Sequence, residues 1–191
     1  MSKILQSADT RTDFESGEIS ADRIRALIES FHSRSGMRRL EARRTLLEIG
    51  TLAIPALIEA LEDPRWRVRW EAAKTLEEIG DPAATPALLK ALEDSNPDVR
   101  WLAAEGLVAI GESALVPLLR ELLERPESML LREGAHHVVR RMMRRGLKEV
   151  LSPVRAALDS PNPRSEVPLA AEEALIALTG VAPRISRSRP A

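Results

Sequence analysis

Val68-Arg69-Trp70-Glu71-Ala72-Ala73-Lys74-Thr75-Leu76-Glu77-Glu78-Ile79-Gly80 recurs 31 residues later as Val99-Arg100-Trp101-Leu102-Ala103-Ala104-Glu105-Gly106-Leu107-Val108-Ala109-Ile110-Gly111. One helix is written twice. Self-similarity at a fixed period of this size marks a stacked-repeat protein, in which each unit is too small to bury its own apolar face and must bury it on its neighbours.

The copies extend in both directions. Leu40 to Gly50 falls into the same register, Leu130 to Met142 follows it more loosely, and Val167 to Leu178 is a degraded fifth copy. Between them runs a second phrase: Ile54-Pro55-Ala56-Leu57-Ile58-Glu59-Ala60-Leu61, then Thr85 to Leu92, Val116 to Leu123 and Ser152 to Leu158. Its prolines, Pro55, Pro86, Pro117 and Pro153, are 31, 31 and 36 residues apart. Proline in a first helical turn forfeits no hydrogen bond, so this phrase predicts a short helix starting near each one.

The alternation of a "PALLxAL" helix with a "VRxxAAxALxxIG" helix over residues 38 to 180 resembles the HEAT-like repeat of the phycobilin-lyase type. That resemblance implies an all-α fold, an α-solenoid of about five helix pairs and ten helices, with the second helix of each pair lining the concave side. It implies no reaction, because one repeat architecture serves several functions.

The expected repeats are about 19–50, 51–80, 81–111, 112–145 and 146–180, preceded by a mobile polar arm at 1–18 and followed by a disordered basic tail at 181–191. Ser20 is placed to cap the first helix, and Gly50, Gly80 and Gly111 to end second helices. Aromatic residues make up 3% of the chain and Tyr is absent, so the core must be aliphatic. Lys+Arg number 28 against 29 for Asp+Glu; no global field favours nucleic acid or an anionic membrane. Without cysteine there is no disulfide, thiolate nucleophile or thiolate metal site. No leader-like or membrane-spanning run stands out, so a cytoplasmic protein is expected.

In the second-helix phrase, Val68, Ala72, Leu76 and Ile79 form the apolar stripe, with Ala73 beside it. The remaining offsets are expected to face the groove: Trp70, Glu71, Lys74 and Glu78, then Trp101, Leu102, Glu105 and Ala109. In the first copy they give Leu40, Glu41, Arg44 and Glu48, and in the fourth Arg132, Glu133, His136 and Arg140. Trp66, one turn before Trp70, extends the same surface. Tryptophans at one offset in consecutive repeats read as interface anchors; the alternative is that each indole caps the core.

The run Arg132, His136, Arg140 and Arg144, with Arg141, Arg145 and Lys148 beside it, forms a positive stripe suited to an acidic partner segment or, as an alternative, a nucleic-acid backbone. The acidic lean of the groove centre makes nucleic acid the poorer fit. His32, His136 and His137 are the only histidines, none followed by Glu, and no catalytic residue, metal ligand set or cofactor site is assigned. The expectation is a non-enzymatic module gripping a protein segment, with a phycobilin-lyase-like chaperone of a bilin-bearing protein as the other alternative.

Overall fold

The computed structural model describes residues 20–181. The arm expected at 1–18 and the tail expected at 181–191, apart from Val181, lie outside the described residues. Five helix pairs follow one another: α1 (Ala21–Glu29) with α2 (Gly36–Ile49), α3 (Ile54–Ala60) with α4 (Trp66–Ile79), α5 (Thr85–Ala91) with α6 (Pro97–Ile110), α7 (Leu115–Glu124) with α8 (Met129–Met142), and α9 (Lys148–Leu158) with α10 (Pro163–Thr179). The fold is an all-α solenoid, without a strand among the described residues. The helices are less separate than the sequence suggests. Short 3-10 turns at Gly50–Ala53 and Gly111–Ala114 and a kink at Met143–Leu147 join neighbours, so the ten helices run as seven uninterrupted helical stretches.

Caps set the boundaries. The hydroxyls of Ser20, Ser35 and Ser128 accept backbone N–H groups in the first turns of α1, α2 and α8, and Asn96 does the same for α6. Pro55 and Pro86 sit in the first turns of α3 and α5, where their missing N–H costs nothing.

Two layers result, first helices in one and second helices in the other. The second layer stacks in the order α2, α4, α6, α8. Its cohesion comes from one repeated choice: Ala42, Ala72, Ala103 and Ala135 are all buried, and one turn later so are Leu46, Leu76, Leu107 and Val139. Small residues let the helices approach, while each larger side chain contributes roughly 1.5–3 kcal/mol by leaving water. Gly134 marks a close approach: a Cβ there would lie 2.6 Å from Cδ2 of the buried Leu92.

The stretch Pro97–Glu124, in which the Gly111–Ala114 turn joins α6 to α7, is long and apolar enough to cross a membrane by length and composition. Its large apolar residues, from Leu102 through Leu122, are packed into the core.

The fifth pair departs from the pattern. α9 packs on α8, and α10 packs mainly on α7 and α9, so the order within the pair is inverted: α9 extends the second layer and α10 the first. The local cause is the kink, where the backbone leaves helical values at Arg145 and Gly146 adopts φ 106°, a conformation that suits glycine. Arg145 fixes it by donating to the Val108 carbonyl at 2.7 Å, near the end of α6.

Candidate docking face on the second-helix layer

Hydrogen bonds between side chains of adjacent second helices fix their relative register. His137 of α8 meets Glu105 of α6 at 2.6 Å, and Arg43 of α2 meets Glu71 of α4 at 2.8 Å. With Val68, Val99 and Leu131 taken as equivalent buried residues, His137 and Glu105 each lie six positions on, so equivalent positions stand side by side. The outward face then has four rows: Met37, Arg67, Asp98 and Leu130; Leu40, Trp70, Trp101 and Glu133; Arg44, Lys74, Glu105 and His137; Glu48, Glu78, Ala109 and Arg141. Every member is exposed or half-buried.

Trp101 is 57% exposed at the centre of this face, and Trp66 is 42% exposed at the start of α4 with the Arg67 guanidinium 5.3 Å from its ring centroid. Trp70 is half-buried and packs against the core, with the Arg43 guanidinium 5.8 Å above it. Trp70 therefore covers the core, the alternative the sequence offered, while Trp101 and Trp66 stand exposed.

Two residues expected on the face are not there. Leu102 is 2% exposed and Glu71 5%. Both occupy the position three on, which points at the preceding second helix. Glu41 has the same position in the first repeat and is exposed, because no described second helix precedes α2. Glu71 is instead the acceptor of a joint, taking Arg39 at 2.9 Å on one oxygen and Arg43 at 2.8 Å on the other.

The fourth copy also shifts by one residue. Its buried stripe begins at Leu131, not Leu130, so Glu133, His137 and Arg141 belong to the face while Arg132, His136 and Arg140 turn to the edge beside α9. Arg132 donates to the Pro126 carbonyl, His136 pairs with Asp159 at 2.9 Å, and only Arg140 of the three is exposed without an ion pair among the described residues. A cleft of about 390 Å³ lies there, lined by Met129, Arg132, His136, Leu158 and Asp159 and bordered on the face side by Glu133. The expected positive stripe is thus partly occupied: Arg141 lies 3.6 Å from Glu105 and Arg145 holds the Val108 carbonyl, while Arg140, Arg144 and Lys148 stay exposed.

Local pairing offsets the face's acidic lean. Glu105 has His137 and Arg141; Glu78 has Lys74 at 3.5 Å and Arg43 at 3.8 Å. The Lys74 ammonium is held above its ordinary pKa, first by its hydrogen bond to Glu77 and then by the charge of Glu77 and Glu78, which together outweigh burial.

One set of working residues was missed in the sequence. Arg39, Arg69, Arg100 and Arg132 each donate Nη1 to the carbonyl six residues back, on Ser33, Asp63, Asp94 and Pro126, bracing the turn inside each pair. The signal was the arginine following the first position of the first four copies. In the fifth copy that position is Pro168, and there the stacking order inverts.

Residues 24–96 and again 85–176 match the family of HEAT repeats. Repeats of this kind generally serve as protein-interaction scaffolds. No curated protein matches the chain.

Proposed function

The chain belongs to the HEAT-repeat family, and we propose that within it this protein is a non-enzymatic, cytoplasmic docking module whose second-helix face takes a segment of a protein partner. Trp101 is the anchor, Trp66 and Leu40 extend the apolar strip, and Arg44, Lys74, Glu78 and Glu105 form a charged border. The carrying observation is the exposure of Trp101 between buried neighbours: Leu102 and Ala103 are covered, so the helix is packed, yet its largest side chain stays in water. An aromatic left exposed amid charge is what a partner's desolvation turns into affinity.

The test compares partner retention from an extract of the source cells by wild type, Trp101→Ala and Arg120→Ala, the last on the exposed side of α7. Loss with Trp101→Ala alone, at unchanged helicity, supports the reading. Equal retention by all three removes it. The phycobilin-lyase likeness of the repeat phrase has its own measurement: added bilin should leave its visible spectrum unshifted.

A further inference from the structure

Two of the three tryptophans already have a cation from this chain. The Arg43 guanidinium stands 5.8 Å from the Trp70 ring centroid while its nitrogens reach Glu71 at 2.8 Å and Glu78 at 3.8 Å, and Arg67 covers Trp66 at 5.3 Å. Trp101, the most exposed of the three, has none among the described residues. The repeat gives the reason. Trp101 is the counterpart of Trp70, but in the register that sets Ala72 on Ala42 and Leu76 on Leu46 the counterpart of Arg43 is the buried Ala73. The counterpart of Glu71 is likewise the buried Leu102. The cations of the adjoining column are engaged elsewhere: Lys74 with Glu77 at 2.6 Å and Glu78 at 3.5 Å, and Arg67 over Trp66.

Carboxylates stand beside this bare ring. Asp98 lies one turn before Trp101 on the same helix face, about 5–6 Å away between Cβ atoms, and Glu133 is the next member of its row, one helix spacing of about 8–10 Å away on α8. Both are exposed, and neither makes an ion pair with any described residue. Glu105, one turn past Trp101, is held by His137 and Arg141 and takes no part. An exposed indole draws a cation over its face, and a guanidinium can lie flat on the ring while its edge N–H groups fork to carboxylates. We propose that the partner segment docked on this face presents an arginine whose guanidinium stacks on Trp101 and is bound by Asp98 and Glu133. The chain builds the same assembly within itself from Arg43, Trp70 and Glu71; at Trp101 the partner supplies the cation. The proposal rests on the reading that the face docks a protein segment, and adds the side chain its anchor takes.

The chemistry orders the competitors. Lysine is the poorer occupant, because its ammonium keeps its water more tightly and offers no plane to the indole. A segment that puts a carboxylate at this point is opposed by Asp98 and Glu133 together. A single stacked cation on an exposed ring is a weak contact, so one arginine fixes position and charge while the rest of the segment supplies the affinity.

The experiment follows the indole N–H signals of the full chain by nuclear magnetic resonance, with the Trp101 signal assigned by its loss in Trp101→Phe. The probes are three capped pentapeptides, glycine and leucine on either side of a central arginine, lysine or citrulline, each titrated to about 20 mM, enough to read a millimolar dissociation constant. The arginine peptide should shift the Trp101 signal along a saturating curve. The lysine peptide should bind about threefold or more weakly, and the citrulline peptide, the same shape without the charge, should leave the signal in place. Asp98→Asn and Glu133→Gln should each weaken the arginine peptide by about threefold. Circular dichroism melts confirm that each variant folds, and Glu133→Gln carries the test alone if Asp98→Asn loosens the start of α6. A Trp101 signal that ignores the arginine peptide overturns the proposal, as does equal binding of the citrulline peptide or unchanged affinity in the carboxylate variants. Any of these results, with partner retention still lost in Trp101→Ala, would leave the docking reading standing and remove only the arginine.

Discussion

Arg69 on α4 grips Asp94 in the next repeat with two hydrogen bonds, Nε to Oδ2 at 2.6 Å and Nη2 to Oδ1 at 2.8 Å, while its third nitrogen holds the Asp63 carbonyl at 2.8 Å. One side chain thus fixes the turn of its own pair and the start of the following one. Asp94 is the matching node, since its carbonyl accepts Arg100 at 2.9 Å and its carboxylate takes the Asn96 N–H at 2.7 Å. Arg69→Met removes the cation and strands the carboxylate in a largely covered site. The variant should lose about 2–4 kcal/mol, below the full cost of breaking a buried pair because some water reaches Asp94. Urea melts read this directly; a loss below about 0.5 kcal/mol would show the joint to be ornamental.

Acid should open the same joint. Burial works against the Asp94 carboxylate, but the Arg69 hydrogen bonds, the Asn96 N–H and the nearby guanidinium charges outweigh it, so its pKa lies below the ordinary value. Glu93 is lowered in the same way, with Ser128 and Arg125 overcoming desolvation. A carboxylate depressed in the folded state stabilises the fold above its unfolded pKa of about 4, and that contribution disappears as pH falls through the folded value. Stability from these two groups is therefore constant from neutral pH down to about 5 and declines below about 4. Asp94→Asn should flatten the acid limb of a melting temperature against pH curve; an unchanged limb would contradict the assignment.

Adjacent residues on α6 should respond in opposite ways. Leu102→Ala empties a covered site against the preceding repeat and should cost about 2–4 kcal/mol. Trp101→Ala, one residue away, should cost less than about 1 kcal/mol, because its indole is mainly in water. Thermal melts of the two variants decide it, and a larger loss at Trp101 would reverse the picture of the face.

Thr85 occupies the place that Ile54 holds in the preceding repeat, and its buried hydroxyl has no hydrogen-bond partner among the described residues. Thr85→Val keeps the shape and removes the unsatisfied group. A gain of about 1 kcal/mol is expected, seen as a higher melting temperature. A lower one would mean the hydroxyl is satisfied in solution.

The helix pairs were legible because apolar period, first-turn proline and terminal glycine agree in the second and third pairs, and two of the three signals carry the rest of the regular register. Trp101 was legible for the same reason: its offset lies opposite the stripe of its own helix. Leu102 and Glu71 were not, because an offset on one helix says where a residue points relative to that helix and nothing of the neighbour that covers it. The fourth copy misled by one residue, and a residue is about 100° of helical turn, enough to move Arg132, His136 and Arg140 from face to edge. The inverted fifth pair left only two traces, the longer proline step before Pro153 and the proline at 168.

A tower of like storeys has no intrinsic top, since whatever lets one floor rest on the last invites another. By exchanging the places of α9 and α10 and putting proline where the bracing arginine belongs, this chain breaks the succession of like storeys. Lengthening it by copying one more unit onto that end would give a storey with no matching floor beneath; a viable insertion has to fall before the kink at Met143–Leu147.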